Sequence, residues 1–140
     1  EAGAHGHHRA PLARRALASA REPHSPVRVS GPDGRIELVL HLREWTTFDA
    51  DLSADAVYYD PFGPKAEPES WTVECFEMAR EQIADDALLG TYSAASDVKR
   101  AMAEAGFAVA TAPGTGRKRE VTFASPSPEA LEPYELLDVD

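Results

Sequence analysis

Apolar and polar positions alternate along the chain with helical and strand periods, and these periods predict its elements. Between residues 11 and 20, leucine and alanine recur at helical spacing with two arginines on the opposite side, which predicts a helix. The sequence GPDG at 31–34 is a turn signal. It introduces RIELVLHL, a run typical of a strand that ends near Leu42. The first third of the chain therefore predicts a helix followed by a strand.

The middle of the chain predicts a buried strand, a loop and a helix. Asp55 introduces the continuous apolar run AVYY, which stops at Asp60 and predicts a buried strand. The next residues, PFGPKAEPES, are too rich in proline for regular structure. Apolar positions then recur on one helical face over about 71–84, with Ser70 as the expected N-cap. A second strand, ALLGTYS, follows this helix.

The last elements complete an α/β pattern. A helix is predicted over about 95–105 and ends at Gly106. Two strands, 107–111 and 120–124, flank a glycine-containing basic loop and suit an antiparallel hairpin that closes a mostly parallel sheet. In α/β sheets, ligands bind at the carboxyl ends of strands. Asp60 and Ser93 are expected at such ends.

Composition narrows the class of protein. With 140 residues, the chain is long enough for one compact domain. Its net charge of -10 argues against a general nucleic-acid coat protein, because such binding needs clustered Lys and Arg, so any RNA contact must be local. The single cysteine, Cys75, lies in an apolar periodic stretch and fits a buried thiol in a reducing, cytoplasmic setting. No apolar stretch is long enough to span a membrane.

The ends of the chain differ from its middle. The chain opens on Glu1 without a targeting pattern, so residues 1–30 are interpreted as a partial amino-terminal region of something longer. Residues 31–125 are expected to form the main domain, and 126–140 an acidic, solvated tail. His5, His7 and His8 could coordinate a metal, but their place at the terminus makes this the weaker interpretation, and no metal site is predicted.

Three segments resemble the MnmC/MnmD family of methyltransferases. The string DAVYYDPFGPKAEPESWTVECF is similar to the strand-four motif of that family, with Asp55, Asp60, Phe62, Pro64 and Trp71 among the matching positions. Downstream, GTYSAASDVKRAMAEAGFAV resembles the family's strand five and following helix, and PGTGRKREVTFA its closing basic hairpin. Three motifs in the right order are more specific than any one of them.

The resemblance implies a fold and an activity. The fold would be the carboxy-terminal part of a Rossmann-like class I methyltransferase, without the half that holds the cofactor loop. The cofactor would be S-adenosylmethionine, and the acceptor the amine of 5-aminomethyl-(2-thio)uridine at the tRNA wobble position. The family also implies tRNA as partner and, in some members, fusion to a flavin-dependent oxidase domain.

Asp60 is the candidate catalytic residue. A carboxylate at a strand end can accept a hydrogen bond from an amine, aim its lone pair and balance the developing ammonium charge. Pro61 and Phe62 stiffen the chain behind it, and the resemblance places these three residues at the cofactor. The alternative from local sequence is that Asp60 caps the proline-rich turn. The adjacent tyrosines, Tyr58 and Tyr59, are expected in the core.

A second cofactor contact is expected at Glu44. LHLREW resembles the point where class I methyltransferases place an acid against the adenine amine, with Asp49 and Asp51 as competitors. The family commonly has Gly-Asp where this chain has Arg43 and Glu44. A larger departure is that nothing before residue 31 supplies G-x-G-x-G, which would hold the methionine end. The chain alone is therefore expected to bind the cofactor poorly.

The remaining candidates concern the acceptor. The resemblance places Trp71, Tyr92 and Ser93 near the substrate cleft, although Trp71 also suits a packing anchor and Ser93 a helix cap. A local basic patch is a candidate tRNA contact and contains Arg117, Lys118 and Arg119. Two rival functions stay open. One is a methyltransferase for another amine, and the other is a non-catalytic α/β interaction module derived from such an enzyme.

Overall fold

A computed structural model describes residues 9–19, 26–114 and 120–138. The chain forms two compact units, residues 1–47 and 48–140. Among the described residues, no helix is long and apolar enough to cross a membrane. Within the same residues, no three His, Cys, Asp or Glu side chains group as metal ligands. His5, His7 and His8 lie outside the described part of the chain.

The first unit is a helix packed with a β-hairpin. Helix α1 spans Arg9–Ser19, strands β1 and β2 span Val27–Ser30 and Glu37–Leu40, and a 3-10 turn covers Trp45–Thr47. The turn predicted at 31–34 joins the two antiparallel strands, and Gly34 has a φ of 68°, which glycine adopts without strain. The sequence did not reveal β1, so the predicted boundary near residue 30 falls inside this hairpin. A small core is formed by Leu12, Ala16 and Val29.

The second unit contains a five-stranded sheet. Its strands are β3 (Ala54–Tyr58), β4 (Ile83–Thr91), β5 (Ala108–Pro113), β6 (Glu120–Ser125) and β7 (Glu135–Leu136), in the order β3-β4-β6-β5-β7. Strands β3 and β4 pair in parallel, and the other neighbours pair antiparallel. It follows that β3, β4 and β5 share one direction, with β6 inserted against them. The predicted α/β class and closing hairpin are confirmed.

Two helices connect the parallel strands. Helix α2 (Val73–Gln82) lies between β3 and β4, after a 3-10 turn at Pro68–Trp71, and α3 (Ser96–Glu104) lies between β4 and β5. The predicted N-cap at Ser70 is wrong, because the 3-10 turn takes up that residue and the Thr72 side chain accepts the hydrogen bond from the Cys75 backbone amide. Gly106 ends α3 as predicted, with a φ of 91°.

Strand β3 is more exposed than its apolar sequence predicts. Within the described residues it has one neighbouring strand, β4, so one edge and part of one face lie open. Tyr58 is 92% exposed, whereas Tyr59 is 7% exposed. The expectation that both tyrosines belong to the core is therefore wrong for Tyr58, because a continuous apolar run is buried on both faces only where neighbours cover both.

The final segment packs on the sheet instead of forming a solvated tail up to residue 138. A 3-10 turn at Pro128–Leu131 buries Leu131 completely, and β7 pairs with β5. The ring of Tyr134 stacks on that of Phe123 in β6 with centroids 4.9 Å apart. The acidic residues of the segment are exposed, whereas Leu131 between them is buried. The solvated tail that was predicted from charge alone is therefore wrong.

Candidate active site

Asp60 lies directly after β3, at the carboxyl end of the two parallel strands. The backbone amide of the preceding Tyr59 donates to the carbonyl of Gly90 on β4 over 2.9 Å, which holds this end of β3 on the sheet. The Asp60 side chain is exposed. Among the described residues, no backbone amide donates to its carboxylate and no cation pairs with it. The turn-cap interpretation of Asp60 thus finds no hydrogen bond to support it.

The loop after Asp60 is anchored by Trp71. The indole Nε1 of Trp71 donates a 2.8 Å hydrogen bond to the backbone carbonyl of Phe62. Pro61 restricts φ between the two anchored points, so the chain leaving Asp60 has little freedom. The Phe62 ring is 77% exposed, and Trp71 is 7% exposed. Trp71 therefore packs inside and positions the loop by its indole nitrogen.

Tyr59 fastens the other end of the same loop. Its hydroxyl donates to the backbone carbonyl of Ser70 over 2.5 Å. Its ring meets Trp71 edge to face at 5.6 Å and Phe76 of α2 at 5.1 Å between centroids. Burial, with the nearby Cys75 thiol, raises the pKa of the Tyr59 phenol well above its usual value. The phenol thus stays protonated and acts as a structural donor.

An open cavity of about 250 Å³ lies beside Asp60. It is lined by Tyr58, Asp60, Gly90, Thr91, Tyr92, Val121, Thr122 and Phe123. The two threonine hydroxyls are already engaged: that of Thr122 donates to the Ser93 carbonyl over 2.7 Å, and that of Thr91 accepts from the Ser93 amide over 3.3 Å. Asp60 is the only ionisable carboxylate among the lining residues, and the remaining surface is largely apolar and aromatic.

The structure brings some of the predicted site residues together. Asp60 and Tyr92 share the cavity, and Pro61 and Phe62 continue from Asp60 along the anchored loop. Trp71 and Ser93 do not line it, because the indole is packed on Tyr59 and Phe76 and the Ser93 side chain accepts from the Ala95 amide. Ser93 therefore serves as a local turn acceptor before α3, whose N-cap is Ala95, so the helix-cap interpretation of Ser93 is wrong.

Other predicted residues are not among those that line the described cavity. Glu44 belongs to the first unit, where its side chain is exposed and its backbone carbonyl accepts from Thr47. Arg117, Lys118 and Arg119 lie outside the described residues. The cavity wall also contains residues that sequence reasoning missed, above all Tyr58, Gly90 and Phe123. A glycine inside a strand often marks the close approach of another group, and that signal was available at Gly90.

The described residues fit one end of an S-adenosylmethionine site. An exposed carboxylate next to an exposed aromatic ring suits a cationic sulfonium and the amine that it meets, and Asp60 and Phe62 supply this pair. The methionine end would need a glycine-rich turn between a strand and a helix. Two strand-to-helix connections are described. The connection after β3 has a single glycine, Gly63, and the connection after β4 has no glycine, so neither is a glycine-rich turn.

Comparison with known proteins agrees with this geometry. A family model described as S-adenosyl-L-methionine-dependent methyltransferase matches residues 11–127. The bifunctional protein MnmC of tRNA 5-methylaminomethyl-2-thiouridine biosynthesis from Ralstonia nicotianae is 42% identical over 94 residues, which are 66% of this chain and 14% of that protein. The protein of the same name from Pseudomonas aeruginosa strain UCBPP-PA14 is 36% identical over 112 residues, which are 76% of this chain and 17% of that protein.

A solved structure gives the same result. The crystal structure of MNMC2 from Aquifex aeolicus superposes with a TM-score of 0.54 and 32% identity, covering 59% of this chain and 27% of that one. The chain spans less than a fifth of the length of the two MnmC relatives, at 14% and 17%. The match to the family model nevertheless extends over most of the chain, across strands β3 to β6, the anchored loop and Asp60. The chain therefore belongs to the S-adenosyl-L-methionine-dependent methyltransferase family.

Proposed function

We propose that this chain forms the acceptor side of an enzyme that methylates the exocyclic amine of 5-aminomethyl-(2-thio)uridine at the wobble position of tRNA. The observation that carries the proposal is the Asp60 carboxylate, which has no partner among the described residues and is held at the end of β3 beside an aromatic cavity. The names of the relatives from Ralstonia and Pseudomonas support tRNA thiouridine chemistry. The family model supports the methyl donor.

Asp60 would do three things to the acceptor. S-adenosylmethionine, when bound, supplies an electrophilic methyl group, so the protein's task is alignment and charge balance. The Asp60 carboxylate accepts a hydrogen bond from the amine, which fixes the direction of its lone pair. It then faces the ammonium that forms, and it provides an acceptor for the departing proton. Pro61 and the Trp71 hydrogen bond keep that carboxylate aimed.

Two further contacts rest on sequence alone. Glu44 stays a predicted contact to the cofactor adenine. Arg117, Lys118 and Arg119 stay predicted contacts to the tRNA backbone, where a short cationic run could bind phosphate despite the net charge of -10. The proposal for the amine does not depend on either.

The test is methyl transfer by the full natural protein from labelled S-adenosylmethionine to undermodified tRNA. We expect Asp60→Asn, which keeps the shape and removes the charge, to lower single-turnover methylation by about 100-fold or more. Its melting temperature should stay nearly the same, because the side chain is exposed and makes no ion pair within the part of the chain that the structure describes. Asp55→Asn is the matched control, since it makes the same charge change at the opposite end of β3 on another exposed side chain.

The outcomes separate the parts of the proposal. A wild-type rate in Asp60→Asn would remove Asp60 from the chemistry. Methylation of a small amine but not of tRNA would leave a methyltransferase with another substrate. No methylation of either acceptor would favour a non-catalytic role for the protein.

A further inference from the structure

The cavity beside Asp60 has a shape that follows from one glycine. Register places Tyr58 opposite Gly90 and Gly90 opposite Phe123, so the three residues form one row across β3, β4 and β6 on the same face of the sheet. Aromatic side chains stand at both ends of this row, and the middle position carries none. Neighbouring strands are about 4.8 Å apart, so the two outer positions are separated by roughly 10 Å.

The space over Gly90 is a slot with aromatic walls. A Cβ atom at Gly90 would come within 3.1 Å of Phe123 Cε1, so the Phe123 ring already leans over the glycine. Tyr58, at the other end of the row, also lines the cavity, and its side chain is 92% exposed and thus accessible to a ligand. Tyr134 stacks on Phe123 from β7's side and fixes that wall. Aromatic carbons pack at about 3.5–4 Å, so a flat ring stacked between two others needs about 7–8 Å between them, which is less than the roughly 10 Å between the two outer backbone positions.

We propose that this slot binds the planar ring of the acceptor, stacked between Tyr58 and Phe123, and that Gly90 sets the specificity for a flat ring. The proposal rests on the proposed function and names the subsite that holds the uracil ring while the aminomethyl group meets Asp60. The cavity of about 250 Å³ lies just under the roughly 300–1,000 Å³ of sites for drug-sized ligands, which suits one ring better than a whole nucleotide.

The side chains that line the slot indicate which ligand it binds. The slot offers stacking surfaces on its walls and one carboxylate at its mouth, so the ligand it fits is a flat heteroaromatic ring that carries a primary amine. Tyr58 and Asp60 are two residues apart at the end of β3 and line the same cavity, which places the amine acceptor and one wall on a single short segment. Bases are commonly bound by aromatic stacking of this kind in proteins that recognise unpaired nucleotides.

The experiment measures binding of the 5-aminomethyluridine nucleoside to the full natural protein by ligand-observed NMR titration. Loss of an aromatic stacking partner typically weakens base binding by about 5-fold to 100-fold. We therefore expect Tyr58→Ser to raise the dissociation constant about tenfold, and Tyr58→Phe, which keeps the ring, to leave it unchanged. Ethanolamine, an amine without a ring, should show no difference between these proteins.

Two glycine variants test the slot itself. Gly90→Ala should weaken the binding of the nucleoside about tenfold, because the added methyl group occupies the floor of the slot and displaces the Phe123 ring that forms its wall. Gly63→Ala is the matched control, since a Cβ atom there meets nothing within 4 Å. Melting curves of all variants separate loss of binding from loss of fold. Equal affinities in wild type, Tyr58→Ser and Gly90→Ala would overturn the proposal.

Other occupants give distinct results. Competition between the nucleoside and S-adenosylhomocysteine would show that the cofactor's ring fills the slot. Protection of Tyr58 from tetranitromethane in the ligand-free protein would show that a protein segment covers it. Either result would overturn the proposal. Ring binding that depends on Tyr58, in a protein that fails to methylate tRNA, would support the slot and reject the tRNA function.

Discussion

Replacing Trp71 by phenylalanine separates a positioning role from a binding role. The substitution removes the indole nitrogen that donates to the Phe62 carbonyl, and it leaves a smaller ring against Tyr59 and Phe76. The lost hydrogen bond should cost about 1 kcal/mol. The volume lost from a site that is only 7% exposed should cost about another 1–1.5 kcal/mol. The free energy of unfolding should thus fall by about 2–2.5 kcal/mol.

The effect on activity should follow from the loop. If the indole holds the chain after Asp60, Trp71→Phe should lower kcat for methyl transfer about tenfold with little change in KM, because misplacing a reacting group by a fraction of an ångström is costly. Urea denaturation and steady-state kinetics measure the two effects. Phe62→Ala is the stability control, since its ring is 77% exposed and its carbonyl remains. A raised KM with unchanged stability would refute the argument and make Trp71 a substrate contact.

Two further predictions concern stability. Leu131→Ala should lower the free energy of unfolding by about 3 kcal/mol in urea denaturation, because Leu131 is completely buried. Leu136→Ala, at a position that is 50% exposed, should lower it much less. Equal small losses in both variants would mean that the final segment does not pack on the sheet. Burial raises the pKa of Tyr59 above its usual 10.0, so the folded state holds the phenol proton more tightly than the unfolded chain does. The contribution of this proton to the free energy of unfolding is complete below about pH 10 and is lost as the pH rises further. Stability measured against pH should fall above pH 10, and an equally steep fall in Tyr59→Phe would contradict this assignment.

Local signals account for the elements that were predicted well. Helix α3 and the strand after it follow from apolar spacing and from Gly106, whose φ of 91° ends the helix by a backbone requirement. The β5–β6 hairpin likewise follows from two β-rich runs around a glycine-containing loop. These features depend on residues close in sequence, so the sequence contains enough information to place them.

The errors arise where distant parts of the chain decide the structure. Ser70 and Thr72 are both good caps, and only the 3-10 turn that ends at Trp71 selects Thr72. Leu131 is buried because β4, β5 and β6 meet beneath it, which its acidic neighbours do not reveal. The same holds for the candidate site: Asp60 was predicted from its place at a strand end, but Gly90 and Phe123 meet through the register of two strands that are far apart in sequence.

The two tyrosines before Asp60 have different roles: Tyr59 stabilises the fold, and Tyr58 belongs to the candidate site. Successive side chains of a strand point to opposite faces. Tyr59 therefore enters the aromatic cluster and binds the Ser70 carbonyl, while Tyr58 lines the cavity that Asp60 also faces. The cluster holds the loop through Trp71, and the loop begins at Asp60, so packing on one face sets the geometry of the other. Substitutions at Tyr59 should consequently alter both stability and rate, whereas substitutions at Tyr58 should alter acceptor binding alone.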